Sequence, residues 1–139
     1  MKTKPFIILA LFMGYLGFAQ TKTKVPFSQV EISPIYPGCN DAANAEIKKC
    51  TQESIDAFLK ANFNTNLLKP NHKKVGIHFL ITDTGAIEEI SAAIRYKYLE
   101  EEVVRIVSLL PPMEPGKRRG QKIGVLYGTI LDYSERKKS

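Results

Sequence analysis

Residues 98–131 read YLEEEVVRIVSLLPPMEPGKRRGQKIGVLYGTIL, and the fold is decided there. Leu99, Val103, Ile106, Val107 and Leu110 recur at steps of three and four, the spacing of one apolar helix face. Glu100, Glu101, Glu102, Arg105 and Ser108 fall off that face. The acids sit in the first turn, where the helix dipole favours negative charge. Pro111 and Pro112 stop the helix, since neither can donate a backbone N–H and the first restrains Leu110. Pro115, Gly116, Lys117, Arg118, Arg119 and Gly120 make a basic turn. Beyond it Ile123, Val125, Tyr127, Thr129 and Leu131 alternate with Gly124, Leu126, Gly128 and Ile130, as a strand does.

Upstream lies a hairpin. Val75, Ile77, Phe79 and Ile81 alternate with Gly76, His78 and Thr82, giving a strand with one apolar face that Leu80 interrupts on the polar side. Asp83, Thr84 and Gly85 signal a tight turn, because glycine supplies the positive φ that hairpins need. Residues 86–92 return as the second arm. Their apolar Ile87 and Ile90 are three apart rather than two, which predicts a bulge or a register slip. Residues 62–70, rich in asparagine, read as a connecting loop.

Residues 42–62 read as the first helix, with Ile47, Thr51, Ile55, Phe58, Leu59 and Asn62 on one face and Asn40 or Asp41 as N-cap. Its continuity through Cys50 and Thr51 is left open by the pattern. Residues 25–32 have extended character, but Pro26 confines any strand there to an edge.

Connectivity then sets an arrangement. The hairpin arms are antiparallel, and the second helix carries the chain back so that the last strand runs with the second arm. A right-handed crossover places it beside the first arm, antiparallel to it. The expected fold is α+β: a small antiparallel sheet of about three strands, ordered second arm, first arm, last strand, with two helices on one face. The last strand lies at an edge unless residues 25–32 cover it.

The chain has 139 residues, a length suited to one domain, and 44% hydrophobic with 24% charged residues marks it as globular. Lys2 and Lys4 precede an apolar run of fifteen, and Gly17, Phe18 and Ala19 supply a cleavage site, the pattern of an export signal at residues 1–19. Fifteen apolar residues fall short of the ~20 that span a bilayer. Export to the periplasm or cell envelope is therefore expected, followed by a short lead at 20–26, a domain at 27–133 and a polar basic tail at 134–139. Losing Lys2 and Lys4 takes the formal net charge from +6 to +4. That is too mild to argue for nucleic acid. Cys39 and Cys50 are the only cysteines, and an even count in an exported chain favours a disulfide. A metal would need more ligands, since His72 and His78 lie well beyond both cysteines with no paired spacing.

The helix, proline stop, Pro115-Gly116-Lys117 turn and closing strand together resemble the carboxy-terminal end of the TonB C-terminal domain family. One departure is Met113, where the family commonly has an aromatic residue between the prolines. Tyr36-Pro37-Gly38-Cys39 resembles the segment that begins the domain in short exported relatives. The likeness spans residues 27–132. It implies that Ile123, Gly124, Val125, Leu126, Tyr127, Gly128, Thr129, Ile130 and Leu131 form an edge strand that accepts the TonB-box peptide of an outer-membrane receptor, in TonB-type transport. The energy-transducing members also carry a membrane helix and a long proline-rich spacer. Here five residues, extending at most ~3.5 Å each, separate the leader from domain-like sequence. A non-enzymatic envelope protein that self-associates through the same edge is the competing expectation.

Nothing in the sequence assembles a catalytic group. The serines lack a nucleophile-elbow setting, consecutive glutamates point around a helix without converging, and no glycine-rich phosphate loop precedes a helix. No enzyme, cofactor, metal or small-molecule substrate is expected. Lys117, Arg118 and Arg119 read as a solvated loop or as an electrostatic guide for an acidic partner.

Overall fold

The structure is a computed structural model that describes residues 23–40, 43–71 and 73–134. The leader at 1–19, the candidate cap Asp41, His72 and most of the tail lie outside the described residues. The elements in chain order are β1 (Lys24–Pro26), α1 (Asn44–Asn62), β2 (Lys74–Ile81), β3 (Ile87–Ala92), α2 (Lys97–Ser108), β4 (Gly116–Arg118) and β5 (Gln121–Asp132).

The Leu99 periodicity becomes α2, whose Leu99, Val103, Ile106 and Val107 are fully buried. Pro111 ends it after one tightened turn, in which Leu110 N–H donates to Val107 O. Glu102 departs from the expected solvated face. It is only 6% exposed and receives the Arg105 guanidinium, whose Nη2 also donates to Asn62 O at 2.9 Å. The reason is tertiary: Arg105 ties α2 to the end of α1, and the carboxylate that neutralises it is drawn in with it.

The sheet keeps the expected order β3, β2, β5, with both pairings antiparallel. The expected bulge is present: the β2–β3 register shifts between His78 and Leu80, and Glu89 adopts φ 51°. The sheet nevertheless has five strands and is mixed, not three and antiparallel. β4 forms a hairpin with β5 through Arg119 and Gly120, at φ 51° and 75°. Two consecutive positive φ values suit a tight hairpin turn, so the basic turn continues the sheet. Its Gly-Lys-Arg arm carries no apolar alternation and reads as loop. β1 adds to β5 in parallel, from Lys24↔Gly124 to Pro26↔Leu126.

Both helices lie on one face. Val75, Ile77, Phe79 and Ile81 of β2 join Val125, Tyr127 and Leu131 of β5 in one core with Ile55 and Leu59 of α1 and the apolar stripe of α2. Side-chain alternation leaves Lys74, Gly76, His78 and Leu80, with Gly124, Leu126, Gly128 and Ile130, on the outer face. The helix α1 is continuous through Cys50 and Thr51 and starts at Asn44, with Ala43 as an N-cap that offers no side-chain bond. Asn40 does not cap it. The Asn44 amide instead donates to Glu31 O at 2.8 Å. Thr51 Oγ1 donates to Pro34 O and accepts from Tyr36 N–H, and Cys39 and Cys50 are joined by the expected disulfide. These bonds strap residues 34–39 onto the helix.

Candidate functional site: the half-open edge of β5

Two hydrogen bonds fix the direction of every β5 amide. Gly124 N–H donates to Thr23 O on the β1 side, and Tyr133 N–H donates to Lys73 O on the β2 side. In a strand without a bulge the groups alternate. Val125, Tyr127, Thr129 and Leu131 therefore face β2, whereas Gly124, Leu126, Gly128 and Ile130 face the other way. β1 covers that second side at Gly124–Leu126. β4 meets Gln121 and Ile123 on the β2 side, beyond the last β2 pair Ile81↔Val125. Lys117 exchanges N–H and C=O with Ile32, so Gly116 and Arg118 are the residues turned to β5.

This corrects the expectation that Ile123 to Leu131 form an edge strand throughout. β1 covers Gly124, Val125 and Leu126 on the side away from β2, and Ile123 pairs with Gly116 of β4. Past β1 the edge is open across residues 128–132, where Gly128 and Ile130 direct N–H and C=O outward with no partner strand among the described residues. Lys117, Arg118 and Arg119 are exposed at the opposite end of β5 and are not brought to this opening. The other border, β3, is guarded by its bulge and by exposed Glu88 and Glu89, devices that discourage strand pairing.

Beneath the opening, Tyr127 is buried, its ring 5.0 Å from Phe27 in an edge-on contact, and its hydroxyl donates to Asp56 Oδ1 at 2.6 Å. Burial raises its pKa above the usual phenol range, and the bond to Asp56 raises it further. The unfolded chain ionises near pH 10 while the folded one does not, so stability falls as pH rises above about 10. Tyr127→Phe is expected to lower stability by about 1–2 kcal/mol at pH 7 and to flatten that alkaline decline, as urea melts across pH 8–11 would read.

The helix α1 runs along the same side. Lys48 Nζ lies 5.6 Å from the Phe27 ring centroid and Lys60 Nζ 5.8 Å from that of Tyr133, bracketing the inner flank of the opening. On the outer face Lys24 reaches from β1 to Glu89 of β3 at 2.7 Å. It passes Gly124, whose absent side chain leaves the room: a Cβ there would stand 3.2 Å from Leu80 Cδ1 and 3.6 Å from Lys24 Cγ. Leu80, though on this face, is thereby only 6% exposed. Leu126 and Ile130 have no such cover and are 42% and 67% exposed.

Sequence reasoning located the strand and its apolar alternation and offered residues 25–32 as an edge strand that could cover it, as β1 does over Lys24–Pro26, but missed Phe27, Asp56 and the lysines of α1. The four-residue spacing of Lys48, Gln52, Asp56 and Lys60 is visible in the sequence, yet nothing local says which strand that stripe meets. Among the described residues no three histidine, cysteine, aspartate or glutamate side chains gather to hold a metal, and no helix is long and apolar enough to cross a membrane. No family model, no curated protein and no solved structure matches the chain.

Proposed function

We propose that the chain is an exported, non-catalytic module of the TonB C-terminal kind, which takes up an extended segment of an outer-membrane receptor as an added strand on β5 at residues 128–132. The observation that carries this reading is the pair of outward amides at Gly128 and Ile130, beside a stretch of the same edge already filled by β1. Unpaired N–H and C=O groups in a row accept an extended backbone with few demands on side chains. The likeness at residues 111–131 and at Tyr36-Pro37-Gly38-Cys39 supplies the receptor as partner.

The test contrasts two prolines. Ile130→Pro removes an outward N–H and leaves the β2–β5 ladder complete, so binding of a synthetic TonB-box peptide is expected to weaken about tenfold with circular dichroism unchanged. Thr129→Pro removes an N–H that faces β2 and is expected to destabilise the fold itself. Equal peptide affinity in the Ile130→Pro and parent proteins would defeat the reading.

A second copy of the chain is the alternative occupant. Antiparallel pairing of two such edges about Ile130 would set that exposed side chain against its own counterpart, the self-complementarity a two-fold contact needs. Light scattering separates the two, because a dimer at micromolar concentration would already occupy the opening.

A further inference from the structure

Gly128 is a gap in the outer face of β5. Leu126 and Ile130 flank it with exposed aliphatic side chains, and a Cβ at Gly128 would lie 3.1 Å from His78 Cδ2. Pro26, His78, Glu89, Ser91, Leu126 and Gly128 line a shallow groove of about 420 Å3 at this place. Gly128 thus belongs both to the groove and to the open edge.

A strand added antiparallel to β5 puts the side chain opposite Gly128 on this same face, because directly opposed residues share a face. Glycine gives that side chain no cross-strand neighbour. A flat ring can therefore lie across Gly128 onto His78, against Leu126 and Pro26, the way aromatic residues cover glycine across a strand pair. Side chains on either side of the ring point to the opposite face, toward α1. There Lys48 and Lys60 contribute two positive charges, and the intervening Asp56 is engaged by the Tyr127 hydroxyl. Building on the strand-addition reading above, we propose that the docked segment carries an aromatic residue opposite Gly128 and a carboxylate among its α1-facing positions.

Three end-capped, threonine-based heptapeptides test this. One carries a central phenylalanine and a glutamate at an alternate position, the second replaces phenylalanine by alanine, and the third replaces glutamate by glutamine. Each is titrated into the 15N-labelled protein while the Gly128 and Ile130 amide signals are followed. The phenylalanine peptide is expected to shift both signals and to bind about tenfold more tightly than the alanine one, an effect matching burial of roughly half an aromatic side chain. The glutamine peptide is expected to bind several-fold more weakly, with the difference closing at high salt. Gly128→Val, which fills the gap, should erase the phenylalanine advantage, and His78→Ala, an exposed change, should reduce it with the fold intact.

Equal binding of the phenylalanine and alanine peptides, with both amides shifting, would overturn the aromatic assignment and leave strand addition standing. A phenylalanine advantage that survives Gly128→Val would overturn the groove as its site. Equal binding of the glutamate and glutamine peptides would remove the carboxylate. If no peptide moves either amide at millimolar concentration, strand addition fails and this inference fails with it.

Discussion

Gly85→Ala is expected to destabilise the protein by roughly 3 kcal/mol or more, the sum of left-handed strain and backbone crowding. Gly85 closes the β2–β3 turn at φ 82°, where its N–H donates to Thr82 O. A Cβ added there would stand 1.7 Å from Met113 O. That oxygen cannot swing aside as a side-chain tip would. Met113 N–H donates to Gly85 O at 3.1 Å, and the Met113 side chain is itself buried in the core. The turn and the segment after Pro112 are thus pressed together backbone to backbone. Gly120→Ala is the control, since Gly120 has φ 75° but nothing within 4 Å of its would-be Cβ. It should cost about 1 kcal/mol, the conformational part alone. Urea midpoints at constant slope would read both, and equal losses would show that residues 111–115 yield freely.

Replacing Cys39 and Cys50 together by alanine is expected to remove about 3 kcal/mol, the value the loop-entropy account assigns to a ring of this size. The loss arises mainly in the unfolded chain. In the folded one, Thr51 holds Pro34 O and the Tyr36 amide whether or not the sulfurs are joined, and Glu114 N–H donates to Ile35 O. The native near-ultraviolet spectrum should therefore persist in the double variant while its urea midpoint falls. Adding a reductant to the parent should give the same midpoint. A lost native spectrum would instead show that the bridge organises residues 34–40, with Thr51 following it.

The parts legible from sequence share one property: their determinants lie within a few residues of each other. The α2 stripe, the alternation of β2 and β5, the glycine turn at 83–85 and the three-residue step of Ile87 and Ile90 each repeat at their own element's period. Even the order of β3, β2 and β5 follows from short connections and crossover handedness. Glu102 escaped this logic because its burial answers to Arg105, and Arg105 answers to Asn62, forty-three residues away. Residues 116–118 escaped it because three residues without apolar alternation leave no period to detect.

The candidate site divides along the same line. Sequence alone determined which β5 side chains face the core, since alternation is a property of the strand itself. Only the tertiary structure decided which β5 amides are free. β1, nearly a hundred residues away in the chain, covers Gly124–Leu126 and stops there. An edge is defined by who fails to pair with it, and backbone hydrogen bonding carries almost no side-chain signature of its partner.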